Sequence, residues 1–436
     1  MGHDLVTPLD HDHAAAALPA GVRARPLVSS AGIFLAVMAA WILTNMDQSL
    51  FGYAVPDLMQ TFGLSIDQIG LLISASFVAG MIATAACGTA TDIFGARYTL
   101  PLCLGVSALL VGLQSLTTSA GLFSGLRIVS YALSTALAPI CSALIANVYD
   151  DRRRPMMVAI LNCGYPFGWF IASFAIVPLI TGHGWRLPFM VGFVVAPVAF
   201  LLYLLLSAAG SVTRPAMTRA DRARDSENRP LALLFGRYRR TALVTGAIFF
   251  FYGGAIAGTV FYLPTFYRVV RGYGAETAAQ IVGLSYGVSM IGYVGSALVS
   301  QTLLSRRATT MLWMAAAAVG VTAMIWLPHT PTQDTVLFAI SAVFFFGTAA
   351  IFQVYLLELF PREVRATAAG VCASGLCAGS VLFPIGVAWL SHVVGWPLAL
   401  TLAVAPPLAV SILLLTLLPD GAGASDVPLS AEPRSA

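Results

Sequence analysis

The sequence predicts an all-α membrane protein of twelve transmembrane helices, arranged as two pseudo-symmetric six-helix bundles. Three observations carry that reading. Only 10% of the 436 residues are charged, against about 25% in soluble domains, which is too few to build a water-facing surface. The apolar residues come in blocks, several of them longer than the roughly 20 residues needed to cross a hydrocarbon core about 30 Å thick. Short features also recur at similar places in the two halves of the chain.

The first block, 31–56, holds a single charge, Asp47, and ends at Pro56. The second, 68–91, and the third, 98–118, are joined by a short polar turn. Arg127 lies early in the fourth, 121–148. The fifth, 156–181, follows Arg152, Arg153 and Arg154, and the sixth, 187–208, follows Gly184-Trp185. The stretch 209–240 is the longest polar interval between blocks. Its eight arginines make it a basic cytoplasmic linker that can also touch anionic lipid. Beyond it come 241–264, closed by Pro264, then 279–303, 309–327, 333–357, 366–391 and, after Gly395-Trp396, 396–418. With no water in the bilayer core, each block must satisfy its own backbone hydrogen bonds, so each is read as a helix.

All 23 basic residues are arginine. Nineteen fall in one set of loops and tails, Arg186, Arg268 and Arg271 fall in the opposite set, and Arg127 lies within a span. The positive-inside rule then places both termini in the cytoplasm of a multi-pass protein of the cell inner (plasma) membrane. The expected organisation is a disordered tail over 1–28, a bundle over 29–208, the linker over 209–240, a second bundle over 241–418 and a disordered tail over 419–436. The acidic leader has no short apolar region ending in a cleavage site, so it does not read as a signal peptide. His11-Asp12-His13 could chelate a metal, but a tail is the simpler reading and no metal is expected.

The net charge of +4 is loop charge and points to topology, not to nucleic acid. Six cysteines sit in apolar blocks without metal-ligand spacing and read as small buried hydrophobes. Without lysine there is no phosphate-binding loop of the Gly-x-x-x-x-Gly-Lys type, so a fused ATPase is excluded and ion gradients remain as the energy source. No enzyme motif is present and no cofactor is expected.

The recurrences argue for duplication. Gly184-Trp185 and Gly395-Trp396 stand before the sixth and twelfth blocks, 211 residues apart, as are Arg154 and Arg365 before the fifth and eleventh. Pro56 and Pro264 lie 208 apart. Duplicated bundles are a mark of transporters that alternate access around a midplane site.

Between the second and third blocks the chain reads Gly88-Thr-Ala-Thr-Asp92-Ile-Phe-Gly95-Ala-Arg97. Gly95 suits a tight turn, Gly88 a close helix approach, and Asp92 a cap or an arginine partner. The segment resembles the loop signature of the major facilitator superfamily. Glu358-Leu-Phe-Pro361-Arg-Glu-Val-Arg365 resembles the loop between the tenth and eleventh helices of that family's sugar and organic-acid porters, and Arg127 stands where the family has an intramembrane arginine. The spacing of Asp47, Gly52 and Pro56 is similar to that of the aromatic acid:proton symporters. Those have an Asp-Gly-x-Asp stretch ending at the Asp47 position, where this chain has Thr44-Asn45-Met46-Asp47 and lacks the first acid. Two more departures are visible. Ser305-Arg306-Arg307, the second copy of the first loop, has no aspartate, and Gly164-Tyr-Pro166-Phe-Gly168 lacks the adjacent Gly-Pro of the drug antiporters.

The resemblance spans about 30–418. It implies a secondary active transporter, not an enzyme, that takes up a small organic anion (an aromatic or other carboxylate) with protons by alternating access. Efflux of drugs or metabolites and symport of sugars or neutral solutes are the alternatives. Its partners would be a small-molecule substrate, protons and the lipid bilayer, with no nucleic acid, and the working unit a monomer. The gating loops would use Gly88, Asp92, Gly95, Arg97, Arg154, Glu358, Pro361 and Arg365.

Asp47 and Arg127 are the charges clearly inside spans. Each would cost roughly 2.5–3.5 kcal/mol at mid-bilayer on insertion scales, so each needs a partner or a wet cavity. At about 1.5 Å per residue, Asp47 lies about 13 Å below an outer end at Pro56, and Arg127 about 9 Å below its own. The resemblance implies that the first and fourth helices are neighbours around the cavity, so a pair is expected. Asp47 would carry the proton and Arg127 would hold the anion, because a guanidinium binds a carboxylate at two points; the alternative is a purely structural ion pair. Thr44, Asp47, Gln48 and Phe51 share a helix face, as do Arg127, Ser130, Tyr131 and Ser134, and Asn162, Pro166, Trp169 and Ser173. The expected substrate contacts are Arg127, Thr44, Gln48, Tyr131, Asn162 and Trp169, with Tyr252, Tyr286 and Gln353 from the second half. Glu276, at the edge of the eighth block, is the next candidate for coupling should Asp47 be structural.

Overall fold

The computed structural model describes residues 29–150, 153–175, 178, 183–209, 234–327, 330–360 and 362–420. Residues 1–28 and 421–436, most of the linker, Arg152, Pro361 and the side chains of Asp92 and Arg365 lie outside the described residues. The first half comprises α1 (Ser30–Phe62), α2 (Ile66–Phe94), α3 (Ala96–Gln114), α4 (Ala120–Val148), α5 (Arg154–Asn162), α6 (Gly164–Ala175), α7 (Arg186–Phe189) and α8 (Val191–Ala208). The second comprises α9 (Arg239–Val260), α10 (Leu263–Val269), α11 (Ala275–Thr302), α12 (Arg306–Trp326), α13 (Pro331–Leu359), α14 (Arg362–Val394) and α15 (Trp396–Leu415). Among the described residues 12 stretches are long and apolar enough to cross a membrane, and each overlaps one of the twelve apolar blocks. Leu71, Leu102, Val319 and Leu413 turn outward and are at least 60% exposed, as a lipid-facing surface requires.

Polar caps set several helix starts. Ser65 accepts from the Gln68 N–H while the Gln68 side chain accepts from the Ser65 N–H, and Thr330 and Gln333 repeat this reciprocal pairing. Gly63, at φ 65°, ends α1. Gly95, at φ 88°, makes the turn between α2 and α3, a backbone that side-chain-bearing residues rarely adopt.

The two halves repeat one packing scheme. In the first, α1 packs on α6, α2 on α4, and α3 on α4 and α8; in the second, α9 packs on α14, α11 on α13, and α12 on α13 and α15. Gly184 and Gly395 both take positive φ, 78° and 79°, ahead of the sixth and twelfth spans. The halves meet through α2 against α14 and α6 against α11, toward the end of the bundle opposite the termini, called the far end here. Nearer the terminal end, Met81, Ala85, Ala86 and Thr89 on α2, and Ala373 and Ser374 on α14, are exposed.

Four expectations change. Pro56 does not close the first span: α1 runs through it to Phe62, because helix breakers are tolerated where surrounding helices re-satisfy the freed backbone. The depth of Asp47 reckoned from Pro56 therefore fails. Pro264 does not close the seventh span either, since α9 stops at Val260 and Pro264 sits in the first turn of α10. The fifth span is broken at Cys163, between α5 and α6, where Pro166 offers no N–H to the carbonyl of Asn162. Gly88 has no close neighbour among the described residues, where a Cβ would meet nothing within 4 Å. The close approaches lie elsewhere: a Cβ on Gly292 would fall 1.9 Å from Val343 O, and one on Gly379 1.9 Å from Phe250 O.

Candidate functional site

Helices α1 and α4 bring the two intramembrane charges together. Arg127 Nη1 lies 3.9 Å from Asp47 Oδ1, an ion-pair distance too long for a hydrogen bond. Ser134, two turns along α4, donates to Asp47 Oδ2 at 3.4 Å. Arg127 is 2% exposed. Its guanidinium carbon stands 4.5 Å from the centre of the Phe51 ring and 5.2 Å from that of Tyr131, so aromatic faces replace part of the lost hydration. Beyond that ion-pair contact with each other, Arg127 Nη1 and Asp47 Oδ1 have no hydrogen-bond partner among the described residues. Buried polar atoms rarely stay unpaired, which sets these two apart from most buried polar atoms.

The pair has two different surroundings. Arg127 lines a small pocket with Phe51, Ile73, Ser76, Tyr131 and Phe261. Phe261 follows α9, so this pocket lies where the halves meet. Asp47 lines a second, mainly apolar cavity inside the first half, whose polar lining includes Thr44 and Ser107 and whose wall includes Leu104, Val111 and Gly192. Arginine at an aromatic-walled junction between halves can hold a planar anion, and the carboxylate behind it can compete for the same cation.

The other expected contacts are placed as follows. Thr44 lines the Asp47 cavity, its hydroxyl donating to Ala40 O. Gln48 is buried and Asn162 half-buried. Tyr131 lies against Arg127. Trp169 is fully buried, its ring stacked on Tyr286 at 4.8 Å and 7°, which joins α6 to α11 across the halves. Tyr252 faces into the second half and donates to Phe345 O at 2.9 Å. Gln353 is exposed on α13, and Glu276 is exposed at the far end. In the loops, the Arg97 guanidinium lies over the Tyr98 ring at 4.5 Å and Arg154 is exposed. Glu358 pairs with Arg306 at 2.5 Å, which ties the start of α12 to the end of α13.

Sequence reasoning missed Phe261, Ile73 and Ser76, which reach the pocket only through tertiary packing. It also missed Asp57, placed beyond a span end at Pro56, which pairs with Arg268 of the other half.

The sequence matches the family model of the Major Facilitator Superfamily over residues 34–370. It is 23% identical to the probable 4-methylmuconolactone transporter of Cupriavidus pinatubonensis (strain JMP 134 / LMG 1197), over 89% of this chain and 90% of that protein. It is 25% identical to the gallate transporter of Pseudomonas putida, over 90% and 92% respectively. Among solved structures, a bacterial homolog of the human lysosomal transporter Spinster, in an inward-facing and unoccupied conformation, superposes with a TM-score of 0.65 at 16% identity, covering 89% of this chain and 95% of that one.

Proposed function

This chain belongs to the Major Facilitator Superfamily, and on that premise we propose that it imports a small organic anion, an aromatic carboxylate foremost, together with protons by alternating access. It is a multi-pass membrane transporter of small molecules. The observation that carries the finer reading is the buried Arg127, with aromatic rings on its walls, whose Nη1 meets Asp47 Oδ1 at an ion-pair distance and not in a hydrogen bond. A carboxylate on the guanidinium displaces Asp47, and protonating Asp47 releases the guanidinium. Either event favours the other, which links the two cargoes. The relatives named as a gallate transporter and a probable 4-methylmuconolactone transporter are in keeping with this chemistry. The linker over 209–240 and both tails belong on the cytoplasmic side of the inner membrane in this reading, the bundles extend over 29–208 and 241–418, and the monomer is the working unit.

The test is uptake of radiolabelled gallate and benzoate into membrane vesicles under an imposed pH gradient, acid outside. Accumulation that collapses with a protonophore is expected. If neither these nor a wider set of aromatic and aliphatic carboxylates accumulates, or if accumulation is indifferent to the gradient, the reading fails.

A further inference from the structure

The far end, where the halves meet, carries a charge pair that lies outside the Arg127 pocket. Arg268 on α10 donates to Asp57 on α1 at two points, Nη1 to Oδ2 at 2.8 Å and Nη2 to Oδ1 at 3.3 Å. Their side chains are 23% and 25% exposed, so the pair is partly shielded from water. The two residues are 211 positions apart. The pair joins the two halves directly, an acid on α1 meeting a base on α10.

Further contacts close the same end. Tyr262 donates to Pro384 O at 2.9 Å, Ser74 donates to Val381 O at 2.5 Å, and His392 lies 3.3 Å from Asp67, both of the latter 56% exposed. Of the two charge pairs that join the halves here among the described residues, Asp57–Arg268 has the two-point geometry and the greater shielding, the features that make an ion pair count.

We propose that Asp57–Arg268 is the latch of the far gate, an ion pair that holds this side of the substrate path shut and breaks each time it opens. The proposal rests on the alternating-access reading above. Neither residue lines the pocket at Arg127, so the latch can be changed without altering the anion's binding groups.

Ser74 is 2% exposed behind this closure. Its accessibility as Ser74→Cys, to a membrane-impermeant maleimide, reports opening. The far face is identified independently as the side from which exposed Glu276→Cys is labelled, and labelling of the six native cysteines is subtracted using the parent protein. Asp57→Asn and Arg268→Gln should each raise far-side labelling of Ser74→Cys by about two- to five-fold. The charge swap Asp57→Arg with Arg268→Asp should return it to the parent rate. Single variants that label at the parent rate, or a swap that labels as fast as the singles, would overturn the latch. Failure of the underlying reading looks different: Ser74→Cys would stay unlabelled from the far side during gallate uptake by the parent, whatever the state of the pair.

Discussion

Replacing Arg127 by glutamine isolates the energetics of the buried pair. The charges stand 3.9 Å apart, where an effective dielectric near 20 gives an attraction of about 4 kcal/mol. The ring contacts with Phe51 and Tyr131 add roughly 1 kcal/mol each. Arg127→Gln loses all of this and leaves Asp47, whose side chain is 14% exposed, as a carboxylate without a counter-ion. Breaking a buried pair in this way typically costs about 3–5 kcal/mol. Asp47→Asn combined with Arg127→Gln leaves no orphan charge, so its loss should be confined to the ring contacts, about 1–2 kcal/mol. The assay is thermal unfolding of purified protein in detergent at neutral pH, followed by the loss of the monodisperse peak on size exclusion. The double variant should melt several degrees above Arg127→Gln. Lowering the pH should narrow the gap, because a protonated Asp47 carries no charge to strand. A double variant no more stable than Arg127→Gln at neutral pH would refute the reasoning, since Asp47 would then not depend on Arg127 as its counter-charge.

Three further outcomes are expected. Asp47→Asn should abolish gradient-driven accumulation of the substrate while leaving counterflow exchange measurable in the same vesicles; full accumulation by this variant would make Asp47 structural. Gly379→Leu should strongly reduce folded protein, as its Cβ alone would lie 1.9 Å from Phe250 O and overpacking costs about 1–3 kcal/mol or more. Gly386→Leu, where nothing lies within 4 Å among the described residues, should leave the folded yield near that of the parent on fluorescence size exclusion. Arg154→Cys should label only after permeabilisation of intact cells, and labelling from outside would reverse the assigned orientation.

The spans were legible because crossing a bilayer is a local problem. Block length and charge scarcity are properties of contiguous residues, and each helix meets its own backbone demand. The helix ends were less legible. Pro56 reads as a stop by the rules of an isolated helix, yet α1 continues to Phe62. Pro166, embedded in an apolar run, breaks the fifth span at Cys163. Both outcomes depend on what the neighbouring helices supply. At the candidate site, Asp47 and Arg127 stood out because charge is rare and costly in a span. Phe261 and Ser76 did not stand out, since an aromatic ring or a hydroxyl in an apolar run has many roles.

The sequence by itself determined the helical class, the twelve spans, the internal duplication and the two buried charges, all of which follow from composition, local pattern and the cost of charge in hydrocarbon. Tertiary structure alone decided which surroundings each charge has. Arg127 faces a pocket where the halves meet, whereas Asp47 backs onto a cavity within one half. It also decided that Trp169 stacks on Tyr286 and that Asp57 meets Arg268. These contacts join residues more than a hundred positions apart, and no local propensity encodes them. They arise from how two bundles related by pseudo-symmetry close on each other at one end.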